Sequence, residues 1–209
     1  MLTIGGPAAG EQLVFQGALL IFARFVTGLG TVAYAAHNVT INIESISFLP
    51  GMGYAAAVTT LIGQSLGARR PEEAEASGYE ALLQGGLLMM VLGGLMVAFP
   101  AWFLQLFIDD PAVVAAGIIP LQAAGLIQPA FAVNMIMSGA LRGAGDTRWP
   151  LYFKLISTWG VRLPLTIVIV GWLGFGLNGI WFAMCVDFTV QALLATWRYK
   201  AGVWKRIEV

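Results

Sequence analysis

Long apolar stretches constrain this chain more than any other feature of its sequence. Six of them approach the roughly 20 apolar residues that cross a bilayer core, and they are separated by short polar, Gly-bearing or Pro-bearing connections. They lie at 12–35, 40–66, 79–107, 113–140, 151–172 and 177–199. Only 11% of the residues are charged, against about 25% in a soluble domain. The sequence therefore predicts an all-α integral membrane protein, a single six-transmembrane-helix bundle over residues 1–209.

Cations gather in alternate connections, which predicts the orientation of the bundle. The opposite side offers Asp109 and Asp110 and no Lys or Arg. The cations on the first side are Arg69, Arg70, Arg142, Arg148, Lys154, Arg198, Lys200, Lys205 and Arg206. Because Lys and Arg accumulate on the cytoplasmic side of membrane proteins, we expect a multi-pass protein of a prokaryotic inner membrane with both termini in the cytoplasm. Tyr199, Trp197 and Trp204 beside the last cluster predict an interfacial aromatic belt.

Several polar side chains fall inside predicted spans, where an unpaired charge facing lipid costs at least a few kcal/mol. We therefore treat them as candidates for a substrate or ion path. They are Arg24, Asn38, Asn42, Glu44, Ser45, Gln128, Asn134 and Asp187. Asn38, Asn42 and Ser45 share one helix face by their spacing. The alternative for the charged members is structural pairing or snorkelling, and for Asp187 a pair with Arg162 is conceivable.

Other features leave two interpretations open. Pro50 predicts either a hinge or a packing kink, and His37 either a hydrogen-bonded structural group or a proton carrier. Met135 and Met137 near Asn134 suit a cavity for varied apolar ligands, although core packing is the commoner role of Met. No soluble-enzyme motif, metal motif or phosphate loop is present, so we predict no enzyme activity and no cofactor.

Three segments together resemble the MATE (multidrug and toxic compound extrusion) family, in its NorM/DinF-type branch. The first contains Gly6, Pro7 and the run GTVAYAAHNV. The second is FLPGMGYAAAVTTLIGQSLGARRPEEA from Phe48, and the third is SGALRGAGDTRWP from Ser138, followed by Arg162, Leu163 and Pro164. Their order and spacing extend over nearly the whole chain.

The resemblance implies one lobe, the C-terminal one, of a two-lobe transporter. Such proteins export organic, often cationic, compounds in exchange for protons or sodium by alternating access between lobes. The implied partners are membrane lipid, a small drug-like substrate, and either the missing six-helix lobe or a second copy of this chain, with no nucleic acid. The resemblance also implies that the GARRPEEA and LRGAGDTRWP turns are mechanical rather than ligand-binding.

One departure from the family concerns the coupling ion. Where the sodium-dependent branch has acidic residues in the first and fourth helices of this lobe, the chain has Phe15 and Phe131. Glu11 lies one turn earlier, where it marks the membrane edge. We therefore do not expect a sodium site of that kind in this lobe, and we place the coupling carboxylate in the missing lobe as a hypothesis.

Three alternatives to an exporter stay open, one of which is a noncatalytic membrane partner that assembles with another half. A lipid-linked precursor flippase of the same wider superfamily would need more cations facing the cavity than Arg24 and Arg162. An intramembrane enzyme would need a converging set of His or carboxylate groups, for which the sequence offers His37 and Glu44.

Overall fold

A computed structural model describes residues 16–18 and 20–206, and every regular element in that part of the chain is helical. The helices are α1 (Gln16–Gly28), α2 (Thr31–Gly67), α3 (Pro71–Ala98), α4 (Pro100–Gln105), α5 (Pro111–Gly143), α6 (Arg148–Trp172), α7 (Gly176–Lys200) and the short 3₁₀ helix Val203–Arg206. Helices α2, α3, α5, α6 and α7 are long and apolar enough to cross a membrane. The described part of the chain is therefore an all-helical bundle, and its five long apolar helices fit multi-pass insertion into a membrane. The first predicted span, 12–35, lies partly outside the described residues.

The predicted connection at residues 36–39 is wrong, because these residues are helical and the chain turns instead at Leu29 and Gly30. Gly30 has φ of 94°, a left-handed conformation that glycine adopts without strain. The polar residues that suggested a break bond within the helix: the Asn38 amide donates to the Tyr34 carbonyl at 2.8 Å. Polar side chains satisfied in this way do not interrupt a helix.

The predicted span 79–107 is also divided differently. Helix α3 begins at Pro71 and ends at Ala98, and α4 follows from Pro100. Pro100 disfavours a helical conformation at the residue before it, which explains the break at Phe99. Pro71 occupies the first helical position and Glu72 and Glu73 the first turn of α3, an arrangement favourable at a helix N-terminus.

Helix α5 is the centre of the bundle and packs against α2, α3 and α7. Small residues permit this packing, as in other membrane helices: Gly139 lies against the backbone of Ala55, and Gly125 against that of Gly93. The Thr59 hydroxyl donates to the Gly139 carbonyl at 2.8 Å, bridging α2 and α5. Close backbone contact therefore fixes the position of α5 relative to its neighbours.

Helix α6 is irregular, with π-helical turns at Thr158–Arg162 and Ile167–Trp172 on either side of a short α-helical piece. Such turns are rare in proteins and frequently occur at functional sites. Ser157, Thr158 and Arg162 are all buried here. Helix α6 therefore directs polar groups into the bundle.

The C-terminal end folds back on the bundle instead of forming the whole predicted belt. Trp204 is fully buried and stacks on Tyr199 with 4.9 Å between ring centroids. Its indole nitrogen donates to the Tyr199 carbonyl at 2.8 Å, and the Tyr199 hydroxyl donates to the Glu75 carbonyl at 3.2 Å. Trp197 remains exposed. Tyr199 and Trp204 are therefore packed inside the protein and do not form part of an interfacial belt.

Candidate functional site

A buried ion pair joins α6 to α7. The Arg162 Nε atom lies 3.0 Å from Asp187 Oδ2, and the two side chains are 10% and 1% exposed. Neither atom makes a directed hydrogen bond to any described residue, so charge rather than hydrogen-bond geometry holds this contact. The Arg162 guanidinium also lies 5.3 Å from the Phe22 ring centroid and 5.2 Å from that of Phe188, within cation–π range. The Arg162–Asp187 pair, which the sequence left open as an alternative for Asp187, is therefore present in the structure.

Hydrogen bonds extend this pair into a network. Gln191 Nε2 donates to Asp187 Oδ1 at 3.0 Å, and the Ser157 hydroxyl donates to the same carboxylate. Asn134 Nδ2 on α5 donates to Gln191 Oε1 at 3.1 Å, and the Ser138 hydroxyl donates to Asn134 Oδ1 at 3.3 Å. The network therefore links α5, α6 and α7 through groups that satisfy one another.

The network borders a cavity of about 580 Å³, within the range of small-molecule pockets. Its polar wall includes Asn134, Ser138, Arg142, Lys154, Thr158, Arg162, Asp187 and Gln191. Its apolar wall includes Phe48, Phe131, Met135 and Phe188. Phe131 stacks on Phe48 with centroids 4.4 Å apart and meets Phe188 edge-on at 4.8 Å. The cavity thus offers charge and amide groups on one side and aromatic rings on another.

A second buried polar group lies between α2 and α5. Gln128 Nε2 donates to the Ser47 hydroxyl at 2.6 Å, which donates to the Glu44 carbonyl at 2.6 Å. Glu44 is 3% exposed, and its Oε1 atom accepts no hydrogen bond from any described residue. Glu44, like Arg162 and Asp187, is therefore a charged group buried within the bundle.

The structure divides the predicted site residues into two sets. Asn134 and Asp187 line the cavity, and Glu44 and Gln128 are buried beside it. Asn38, Asn42 and Ser45 lie together on the exposed face of α2, and Arg24 is exposed on α1. The Ser45 hydroxyl bonds to the Asn42 carbonyl of its own helix. These four residues do not reach the cavity.

The structure also places the residues for which the sequence left two interpretations open. Met135 lines the cavity, whereas Met137 is 1% exposed in the core. His37 packs against Phe22 and Trp181, with ring centroids 6.1 Å and 5.7 Å away. Helix α2 continues through Pro50 without a break. Glu11 and Phe15, whose positions bear on ion coupling, lie outside the described residues.

We did not predict from the sequence that Arg142 and Lys154 line a cavity. Both were interpreted only as cations that set the orientation of the bundle in the membrane. Lys154, Thr158 and Arg162 are spaced four residues apart and so share a helix face, a signal that could have found Lys154. Arg142 belongs to the LRGAGDTRWP segment, whose turn was expected not to contact ligands. Thr147 and Pro150 of that segment also line the cavity, so the segment borders the candidate site.

Within the described ranges, no group of three or more His, Cys, Asp or Glu side chains could hold a metal ion.

Comparison with known proteins agrees with this architecture. The MatE family profile matches residues 7–168. A probable multidrug resistance protein NorM from Thermotoga maritima is 33% identical over 209 residues, which is 100% of this chain and 45% of that protein. A crystal structure of MATE in the bent conformation superposes with a TM-score of 0.83 at 20% identity, covering 96% of this chain and 45% of the other.

A further solved structure is a MOP superfamily transporter from Pyrococcus furiosus, for which a reverse polarity of the binding pocket suggests a different function. It superposes with a TM-score of 0.80 at 21% identity and covers 95% of this chain and 43% of the other. At these identities the structural matches establish the fold alone. The chain spans about 45% of the length of the curated relative from Thermotoga maritima.

The described helices, five of them long and apolar enough to cross a membrane, and their superposition on solved MATE structures define the fold as that of one lobe of a MATE-type helical bundle. The chain belongs to the MATE family of multidrug transporters. This membership removes the intramembrane enzyme from the alternatives. It also confirms the resemblance seen in the three sequence segments.

Proposed function

We propose that this chain is one six-helix lobe of a secondary multidrug exporter, which antiports organic compounds against protons or sodium by alternating access. The observation that carries the proposal is the cavity bordered by both the Asp187 network and the Phe48–Phe131 stack. A site of mixed aromatic and polar lining suits amphipathic organic compounds. Helix α1 would be the first of the six spans, and both termini would lie in the cytoplasm.

A second lobe would complete the transporter. The relative from Thermotoga maritima matches this chain over only 45% of its length, which leaves room for another lobe of similar size. The exposed polar residues Asn38, Asn42 and Ser45 of α2 favour an interface or a wet cleft, because such groups are costly against lipid. The second lobe would be either a separate six-helix unit or another copy of this chain.

The coupling ion would act through a buried carboxylate. Asp187 lies 3.0 Å from Arg162 and accepts hydrogen bonds from Ser157 and Gln191 at its other oxygen, whereas Glu44 Oε1 accepts none from any described residue. Glu44 is therefore the candidate for proton or sodium coupling within this lobe. A carboxylate in the second lobe is the alternative.

The lipid-linked precursor flippase remains a second candidate, and one observation favours it. That function was expected to need more cavity-facing cations than Arg24 and Arg162. Arg24 does not line the cavity, but Arg142 and Lys154 do so together with Arg162.

Efflux from drug-sensitive cells tests the proposed function. Cells would express the chain with its second lobe and would be loaded with a panel of fluorescent organic compounds of either charge. We expect efflux that collapses when the proton or sodium gradient is dissipated. Phe131→Ala should reduce it at unchanged protein level because it removes the aromatic wall, whereas Phe107→Ala, at an exposed position outside the cavity, should not.

No gradient-dependent efflux of any compound, with protein present in the membrane, would contradict the proposal. Equal loss of efflux in Phe131→Ala and Phe107→Ala would contradict the assignment of the cavity.

A further inference from the structure

One stripe of exposed side chains on α6 changes from apolar to aromatic to cationic towards the start of the helix. Its members are Ile156, Tyr152 and Arg148, which are spaced four residues apart and therefore share a helix face. Ile156 is 59% exposed and Tyr152 is 44% exposed. None of the three lines the cavity, which α6 borders with other positions such as Thr158. The stripe therefore lies on a different face of α6, outside the cavity.

Helix α7 carries a matching stripe that runs towards its C-terminal end. Leu193, Trp197 and Lys200 are all exposed and lie three or four residues apart, so they also share a face. Trp149 in the first turn of α6 meets Trp197 in the last turn of α7, with 6.3 Å between ring centroids. The start of α6 therefore lies beside the end of α7, and both stripes end in a cation at the same end of this helix pair.

Aromatic rings lie between the apolar parts of the two stripes and their cations. Trp149 joins them, because its ring meets that of Tyr152 at 6.0 Å as well as that of Trp197. Trp and Tyr are enriched where a membrane meets water, with their rings at the depth of the lipid headgroups. Arg148 is one residue beyond Trp149 and Lys200 three residues beyond Trp197, which is within about 5 Å along the helix axes. Both cations therefore lie at the depth of lipid phosphates.

The two terminal cations have no acidic partner in the described part of the chain. Neither Arg148 nor Lys200 forms an ion pair there, and both are exposed. Asp146, a carboxylate of the adjacent turn, is already paired with Arg198 at 2.8 Å. The Arg198 guanidinium also lies over the Trp149 ring, 4.7 Å from its centroid. The end of the α6–α7 pair therefore keeps a positive charge that an external anion can neutralise.

We propose that the outer face of α6 and α7 binds an acidic phospholipid, whose phosphate meets Arg148 and Lys200 while its acyl chains lie along Ile156 and Leu193. Basic sites between membrane helices are known to bind the headgroups of acidic lipids. Charge complementarity selects the headgroup, and the order of apolar, aromatic and cationic side chains matches the order of acyl chain, glycerol and phosphate in a phospholipid. The inference concerns the outer surface of the lobe and does not rest on the proposed exporter function.

Native mass spectrometry of the purified chain, with any lobe that co-purifies, measures lipid binding in neutral detergent. The anionic probe is dioleoyl-phosphatidylglycerol, and dioleoyl-phosphatidylcholine has the same acyl chains with a zwitterionic headgroup. We expect a lower apparent Kd for phosphatidylglycerol. Arg148→Gln and Lys200→Gln should each raise that Kd about fivefold, equivalent to about 1 kcal/mol per cation, and should leave the Kd of phosphatidylcholine nearly unchanged.

Two control variants separate this site from general attraction to a basic surface. Arg69→Gln removes the same unit charge from an exposed position in the turn between α2 and α3 and should leave both Kd values nearly unchanged. Trp197→Ala should weaken binding of both lipids, because the ring contacts the lipid whatever the charge of its headgroup. Trp102→Ala, on α4 and equally 58% exposed, should not weaken either.

Equal Kd values for the two lipids, or equal effects of Arg69→Gln and Arg148→Gln, would overturn the proposal. Loss of phosphatidylglycerol binding when the chain is assembled with its second lobe would also overturn it, and would identify that lobe as the occupant of this face. None of these results would bear on gradient-dependent efflux through the cavity, so the failure of this inference is distinguishable from the failure of the exporter function.

Discussion

Replacing Asp187 by asparagine should destabilise the bundle by about 3–5 kcal/mol, because Arg162 would remain buried without its counter-charge. The substitution keeps a carbonyl oxygen that can accept from Gln191 and Ser157, so it removes mainly the charge. At the observed separation of 3.0 Å, the Coulomb attraction is about 5–6 kcal/mol at an effective dielectric constant of about 20. Desolvation of both groups offsets part of that attraction.

Thermal unfolding in detergent measures the effect. The sequence contains a single cysteine, Cys185, which is partly buried, so a dye that fluoresces on reaction with a thiol reports its exposure. With about 2–4 °C per kcal/mol for a chain of this size, Asp187→Asn should lower Tm by about 6–20 °C. Asp109→Asn makes the same chemical change at an exposed position and should change stability by less than about 0.5 kcal/mol.

A double-mutant cycle separates the ion pair from other effects. Arg162→Met alone leaves Asp187 as the uncompensated charge and should also be strongly destabilising. The double variant Arg162→Met with Asp187→Asn should be markedly more stable than the sum of the single effects predicts. The reasoning is refuted if Asp187→Asn behaves like Asp109→Asn, or if the two single effects simply add.

Two further predictions concern packing and use the same unfolding assay. Gly125→Ala should cost about 1–3 kcal/mol through overpacking, because its new methyl group would lie 2.5 Å from a backbone carbonyl of α3, whereas Gly94→Ala meets no atom within 4 Å and should be nearly neutral. Equal Tm values for these two variants would contradict the close packing of α3 and α5. Trp204→Ala should cost about 3–5 kcal/mol, since it removes the stack on Tyr199 and the indole hydrogen bond. Trp172→Ala, at an 81% exposed position, should have a much smaller effect, and similar losses in both would contradict the buried placement of Trp204.

The membrane class and the later helices were predictable because length and hydropathy dominate when lipid is the solvent. The predicted spans 151–172 and 177–199 lie within α6 and α7 almost end to end. The Arg162–Asp187 pair was also within reach, because opposite charges in apolar spans must find partners. A span must be long and apolar enough to cross the bilayer, and a buried charge must have a counter-charge. Each of these requirements outweighs the local preferences of the residues involved.

Other features depended on tertiary contacts that composition does not encode. Asn38 suggested a break because it is polar, yet its amide bonds to its own helix. Trp204 suggested an interfacial belt, yet the chain folds back and buries it. From the sequence, Arg142 and Lys154 indicated only which side of the membrane is cytoplasmic. A cation at a helix end has that effect whether or not a cavity lies beside it. The π-helical turns of α6 left no sequence signal that would place them.

Gradient-driven flux in proteoliposomes tests the central claim most directly. Vesicles would contain the purified chain together with its second lobe, or with a second copy, and an imposed proton or sodium gradient would drive uptake of a fluorescent organic compound. We expect uptake that requires the gradient and that falls in the Phe131→Ala variant, while the Phe107→Ala variant retains it. Uptake that is absent under both gradients in folded, two-lobe complexes would contradict the claim that this chain is one lobe of a coupled exporter.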